Sequence, residues 1–310
     1  MYYPYFRGKQ FELITVRESA GVLATAEFVP IIEPVKESLN GLNRAIQAVC
    51  NEGGSAVVVV NPYHGDHAED GEGISTLLAD AFGECDNIAA GILLKKDMTV
   101  AQAMEVYHQH ADHDRVMIHA GFVDGRGLAE ALGADLTQIK HVFFESCGLL
   151  YRRHFGGTTR ILLKDGFERR RNRDYPEVEP FSDLHVTYGD QGGDGFGDFL
   201  TVGDDYSESG GPAYAVAIHL TFIDPTKDNG MYIYHFVSET QDTPADPAGK
   251  FGEALDLLML KLAQSDSHLF ESSAIQEFRD LADRGHFPGL GYTKKLSMKH
   301  HIETLADFFE

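Results

Sequence analysis

Glu33, Lys95, His119, Glu145 and the Lys164-Asp165 pair each stand where a short apolar run gives way to polar sequence. Carboxylates, lysines and a histidine brought to one place can take up and release protons at a bound molecule. Asn61 ends a further run and would orient a ligand through its amide. The competing reading is that these are ordinary charges where chain meets water. A second set lies close by in sequence. Eight of the chain's 26 Lys and Arg residues fall between Arg152 and Arg173. Arg169, Arg170, Arg171 and Arg173 supply forked donors suited to phosphate or carboxylate, against neutralisation by Asp174, Glu177, Glu179 and Asp183.

Other candidates carry less. Asn61 to Asp70 holds His64, His67 and three acids, but the spacing matches no metal motif, and no metal site is assigned. Cys147 near a strand end reads as a buried structural thiol before a nucleophile. Gly189 to Gly197 contains five glycines, yet its aspartates and the lack of Gly-Lys-Ser/Thr argue for a turn over a phosphate loop. No cofactor is indicated.

The elements that must position these residues form a series. Apolar, β-branched runs occur at Phe11–Val16, Phe28–Glu33, Ala56–Asn61, Ile88–Lys95, Arg115–His119, Val142–Glu145, Arg160–Lys164 and Phe199–Val202. Helical periods separate several of them: Glu37 to Val49, a segment capped by Thr99 and running to about His110, and Gly127 to Leu136. Strand–helix alternation implies parallel pairing. Eight strands favour a closed (β/α)8 TIM-like barrel over an open sheet, and no glycine fingerprint follows the first run. In such a barrel the strand ends would gather at one mouth, with the Arg segment beside strand seven.

Residues 165–197 read as a long functional loop. A β-hairpin then spans 213–239. Pairing Ile223 with Met231 sets His219 opposite His235 and Leu220 opposite Tyr234, which gives one apolar face. The two histidines read as packing partners. Helices follow over 246–310. The expectation is a single domain over 1–310, with a barrel core at about 8–210, an inserted hairpin and extra C-terminal helices.

Composition narrows the classes. The 310 residues are 43% hydrophobic and 24% charged, which is ordinary for a globular chain. The formal net charge of −22 disfavours broad nucleic-acid or anionic-membrane binding. Three scattered cysteines match no disulfide or zinc pattern, and no secretory or membrane-spanning pattern is present; both fit a cytoplasmic protein.

The opening Met1-Tyr-Tyr-Pro-Tyr-Phe-Arg-Gly-Lys-Gln-Phe-Glu-Leu13 and Val29-Pro-Ile-Ile-Glu-Pro34 resemble the phage beta-protein family and its bacterial relatives. Arg171–Pro176, Gly195–Leu200 and Ala217–Thr221 look like the same group; the final third of the chain does not match its motifs. The resemblance implies a phage-related setting, host defence, and a nuclease-like partner protein. It carries over no catalytic residue. Two functions follow as expectations. One is a barrel binding or processing a phosphorylated or nucleotide-like small molecule at its mouth. The other is a catalytically idle binding subunit of a defence complex.

Overall fold

Tyr2, Phe6, Val58, Ile92, Met117, Val142 and Ile161 are all buried, and they trace one sheet through the first half of the chain. The computed structural model describes residues 1–208 and 211–310, so the expected barrel boundary at 210 lies outside the described residues. Two compact units divide the chain: Met1–Lys164 with Thr187–Asp198, and Asp165–Val186 with Phe199–Glu310.

The first unit is an eight-stranded parallel barrel. Numbered along the chain, its strands are β1 (Tyr5–Phe6), β2 (Ile31–Ile32), β3 (Ala56–Val59), β4 (Ile88–Lys95), β5 (Arg115–Ala120), β6 (Lys140–Phe144), β7 (Thr159–Leu163) and β9 (Gly195–Gly197). They pair in that order. The ring closes where Tyr3 N–H donates to the Phe196 carbonyl at 2.8 Å and Phe196 N–H to the Met1 carbonyl at 3.1 Å.

The first and last strands are not where the apolar runs suggested. Phe11–Val16 lies in helix α1 (Gln10–Glu18). Leu13, Val16, Ala20 and Leu23 are buried at three- and four-residue spacing, so a helical period outweighs the β-branched composition. The true first strand is the aromatic pair Tyr5–Phe6. Phe199–Val202 is a turn, and the closing strand is Gly195-Phe-Gly197. A Cβ on Gly197 would stand 2.2 Å from the Tyr3 carbonyl oxygen. Closure brings the backbones too near for any side chain, so the residues that read as a loop signal are what permit the strand.

Helices α2 (Ala20–Thr25), α3 (Asn40–Asn51), α4 (Glu72–Phe82), α5 (Val100–Gln109), α6 (Gly125–Leu132) and the short α7 (Leu149–Arg152) fill the crossovers. Thr99 caps α5 as expected. Its hydroxyl accepts from Gln102 N–H, while the Gln102 side chain accepts from Thr99 N–H, a reciprocal box.

Alternation along each strand decides what enters the barrel. A Cβ on Gly91 would lie 2.9 Å from Val57 Cγ1 and 3.0 Å from Ile118 Cδ1, so these three positions share the inner face. Replacing Gly91 by valine should therefore overpack the barrel centre and cost about 1–3 kcal/mol, read as a lower urea midpoint. An unchanged midpoint would mean that the inner layer has spare room.

The second unit holds a three-stranded antiparallel sheet of β10 (Ala217–Asp224), β11 (Gly230–Val237) and β8 (Val178–Ser182). β8 lies in the stretch read as a loop. The hairpin has the expected register, with His219 opposite His235 and Leu220 opposite Tyr234. Its apolar face, including Ile218, Leu220, Phe222 and Phe236, packs with Phe251 and Leu258 of α9 (Pro247–Leu262) and Phe278 of α10 (Ser273–Arg284). The short α8 (Leu184–Thr187) and the long α11 (Leu290–Phe309) complete the helices, and α11 lies against β10. Among the described residues no helix is long and apolar enough to cross a membrane.

Candidate functional site

The inner parity that contains Gly91 runs on to Lys95 in β4 and, through strand pairing, to Asn61, Glu33 and Tyr5. Glu33 is 0% exposed. One of its oxygens accepts from Tyr5 Oη at 2.9 Å and Arg7 Nη1 at 2.5 Å. The other accepts from the backbone N–H of Tyr63 at 2.8 Å and of His64 at 3.2 Å. Four donors satisfy this carboxylate, so it ties β1, β2 and the loop after β3 together and has little freedom to move a substrate proton.

Asn61 is similarly committed. Its amide oxygen accepts from Leu93 N–H at 2.8 Å and its amide nitrogen donates to the Leu93 carbonyl at 2.9 Å. It prolongs the β3–β4 pairing with a side chain. Lys95 is the freer group. Burial lowers its pKa, opposed by Glu33, Asp97 and Glu69, and its ammonium stands 5.9 Å from the centre of the Tyr63 ring.

His119 does not join them. It follows the outer parity of β5 shared with Arg115, whose guanidinium lies 4.0 Å from the ring centre of Tyr107 in α5. His119 stacks on Phe143 with ring centres 4.3 Å apart. Its Nε2 lies 3.0 Å from His141 Nδ1, and its Nδ1 lies 2.7 Å from Tyr151 Oη. His141 Nε2 lies 3.1 Å from the Leu136 carbonyl. That carbonyl can only accept, so the protons are ordered. His141 donates to Leu136, His119 donates to His141, and Tyr151 donates to His119. Burial, reinforced by His141, holds the His119 pKa well below the ordinary value, and burial pushes His141 down to about 4. Gly125 makes room for this chain, since a Cβ there would lie 2.6 Å from the Tyr151 ring.

Glu145 is exposed, and Lys164, on the outer parity of β7, is partly buried. The structure thus brings Glu33, Asn61 and Lys95 together and places His119 in the helix layer. The expectation that all strand-end groups point to one mouth assumed that each run ended on the same parity. His119 and Lys164 fall one residue out of phase.

In the second unit, Asp165 accepts from Phe167 N–H at 2.9 Å and Asp204 N–H at 2.7 Å, which pins the chain there. Arg170 pairs with Glu179 and Glu168, Arg171 with Asp174 at 2.6 Å, and Arg173 lies 3.8 Å from Asp174. Arg169 donates to the Asp205 carbonyl at 3.1 Å. Neutralisation within the segment is what the geometry shows for Arg170, Arg171 and Arg173. Arg170 continues inward through Glu179 to His235 Nε2 at 3.0 Å, and His235 Nδ1 meets His219 Nδ1 at 2.7 Å. The opposed histidines are hydrogen-bonded packing partners. Cys147 Sγ donates to the His119 carbonyl at 3.2 Å, and burial pushes its thiol pKa up, as for a structural cysteine. Among the described residues no three His, Cys, Asp or Glu side chains converge as a metal-ligand set.

The large cavity of the first unit, about 760 Å³, opens where β3 and β4 end, between α4 and α5. Asn61 and Lys95 line it with His67, Ser75, Asp97 and His110. Glu69, Asp70, Glu72 and Glu105 also line it, so five carboxylates face one lysine. Ser75 and His110 escaped the reading of the sequence because neither stands at a strand end. Tyr5 and Arg7 escaped it because the two-residue strand that holds Tyr5, with Arg7 just after it, is too short to register. Comparison with protein-family models, curated proteins and solved structures finds no match.

Proposed function

We propose that the protein is a barrel that binds a small polar molecule in the cavity at the ends of β3 and β4. The observation that carries this reading is the cavity itself: about 760 Å³, with Lys95 and Asn61 from the strand ends among its lining residues. Barrel enzymes and receptors use this end of their strands. The charge of the lining favours a cationic or hydroxyl-rich ligand over the phosphorylated or nucleotide-like one suggested by the Arg segment. The resemblance to the phage beta-protein family supports a role in phage–host conflict, and it supports nothing finer.

Calorimetry with spermidine, a neutral hexose and a nucleoside triphosphate tests the reading. An amine or sugar should bind wild type and be lost in Ala68→Trp, which fills the cavity. A triphosphate that binds Ala68→Trp as well as wild type, but not Arg169→Ala, would move the site to the Arg segment and overturn the reading.

A second reading, a binding subunit for a partner protein, is favoured by one observation. Val123, just before α6, and Leu149 and Leu150, at the start of α7, are 71%, 71% and 74% exposed near where Gly125 and Tyr151 touch.

A further inference from the structure

The cavity contains one pair of side chains arranged as a nucleophile and its base. Ser75 sits in the first turn of α4, and its Oγ lies 2.9 Å from His110 Nε2. His110 Nδ1 lies 2.8 Å from the Val106 carbonyl one turn earlier. A carbonyl only accepts, so Nδ1 carries the proton and Nε2 presents its lone pair to the serine. The Ser75 hydroxyl has a second acceptor, the Gly71 carbonyl, at the longer distance of 3.2 Å. Both residues line the cavity, while the imidazole itself is buried. The base is thus oriented by a third group, the arrangement by which a serine becomes reactive. Gly71 fixes the position of α4. A Cβ there would stand 2.0 Å from the Val60 carbonyl oxygen, so the helix can start directly against the end of β3. Two other buried histidines also meet aliphatic hydroxyls, His300 with Ser272 at 2.7 Å and His301 with Thr221 at 2.9 Å, but those hydroxyls are themselves buried, whereas Ser75 lines the cavity.

We propose that Ser75 and His110 are a catalytic nucleophile and general base, and that the cavity hydrolyses an ester of a small cationic molecule. The inference rests on the cavity being the ligand site. Ser75 Oγ forms a bond to the ester carbonyl carbon while its proton passes to His110 Nε2, and the carbonyl π pair moves onto oxygen. When that pair returns, the bond to the alcohol oxygen breaks and the departing alcohol takes the proton from His110. Water then attacks the acyl-serine in the same way, releases the carboxylic acid and restores Ser75. Val106 holds the ring throughout by accepting from Nδ1–H. Lys95 is the single Lys or Arg among the lining residues, and so the cation available to the developing oxyanion. The surrounding carboxylates select a positively charged substrate.

The test is covalent capture. The full-length protein is treated with an alkyl fluorophosphonate bearing a quaternary ammonium group, and the adduct is located by peptide mass spectrometry. One adduct on Ser75 is expected, absent in Ser75→Ala, with labelling slowed roughly 100-fold or more in His110→Gln. Wild type alone is decisive should His110→Gln fail to fold: no adduct at Ser75 overturns the proposal. Equal labelling rates in wild type and folded His110→Gln also overturn it. Spermidine binding separates the two levels. If Ser75 takes no adduct but the amine still binds and is lost in Ala68→Trp, the ligand site stands and its chemistry falls.

Discussion

Replacing Glu33 by alanine should lower folding stability by about 3–5 kcal/mol, the range found when one partner of a buried ion pair is removed. The carboxylate is wholly buried and its cation, Arg7, is 7% exposed. The substitution takes one counter-charge from a buried guanidinium and removes the carboxylate that accepts from the Tyr63 and His64 amides and the Tyr5 hydroxyl. Urea unfolding of wild type and variant reads the difference. Removing both charges in Arg7→Met/Glu33→Leu should cost less than Glu33→Ala plus Arg7→Met, because the desolvation penalty leaves with the pair. A Glu33→Ala loss below about 1 kcal/mol would mean that water reaches the barrel interior and screens the pair.

Acidification should destabilise the protein through its buried histidines. Burial pushes His141, His235 and His300 down to about 4, and it holds His119 and His219 well below the ordinary value. Each ring already has its bonds as the neutral form. His300 donates from Nε2 to the Thr221 carbonyl at 2.9 Å and accepts at Nδ1 from Ser272 at 2.7 Å. In the unfolded chain a histidine protonates near pH 6.5. Below that pH the unfolded state holds more protons than the native one, so stability falls as pH falls. The contributions of His141, His235 and His300 are fully present above about pH 6.5 and are lost toward about pH 4, at about 1.4 kcal/mol per pH unit for each. Urea midpoints should drop steeply across that window. Imidazole Cε1–H resonances of His141, His235 and His300 should stay fixed between about pH 7.5 and 5. Midway titration of these three would show that the rings reach solvent.

The barrel was largely readable before the structure because β3 to β7 are buried on both faces, and such strands appear as unbroken apolar runs between helical periods. The hairpin register was readable for a related reason. Only one pairing of Ala217–Asp224 with Gly230–Val237 gives a single apolar face, and a slip of one residue would turn Ile218 and Leu220 to the wrong side. Strands β1 and β9 were not legible. One is two residues long, and the other is mostly glycine chosen for backbone approach across the closing seam, a constraint set by chain segments almost two hundred residues apart.

The site divides along the same line. Sequence position alone marked Glu33, Asn61 and Lys95 as strand-end groups, and the barrel gathers them. Whether a strand-end residue faces the interior depends on its parity relative to the pairing register, and the end of an apolar run does not reveal parity. Only the tertiary structure turned His119 outward to His141 and Tyr151, paired the arginines with nearby acids, and set Ser75 of one helix beside His110 at the end of the next. Composition and period are local properties that a chain displays along its length. The meeting of a hydroxyl and an imidazole thirty-five residues apart is decided by how two helices lie against one another, and that is a property of the packed core alone.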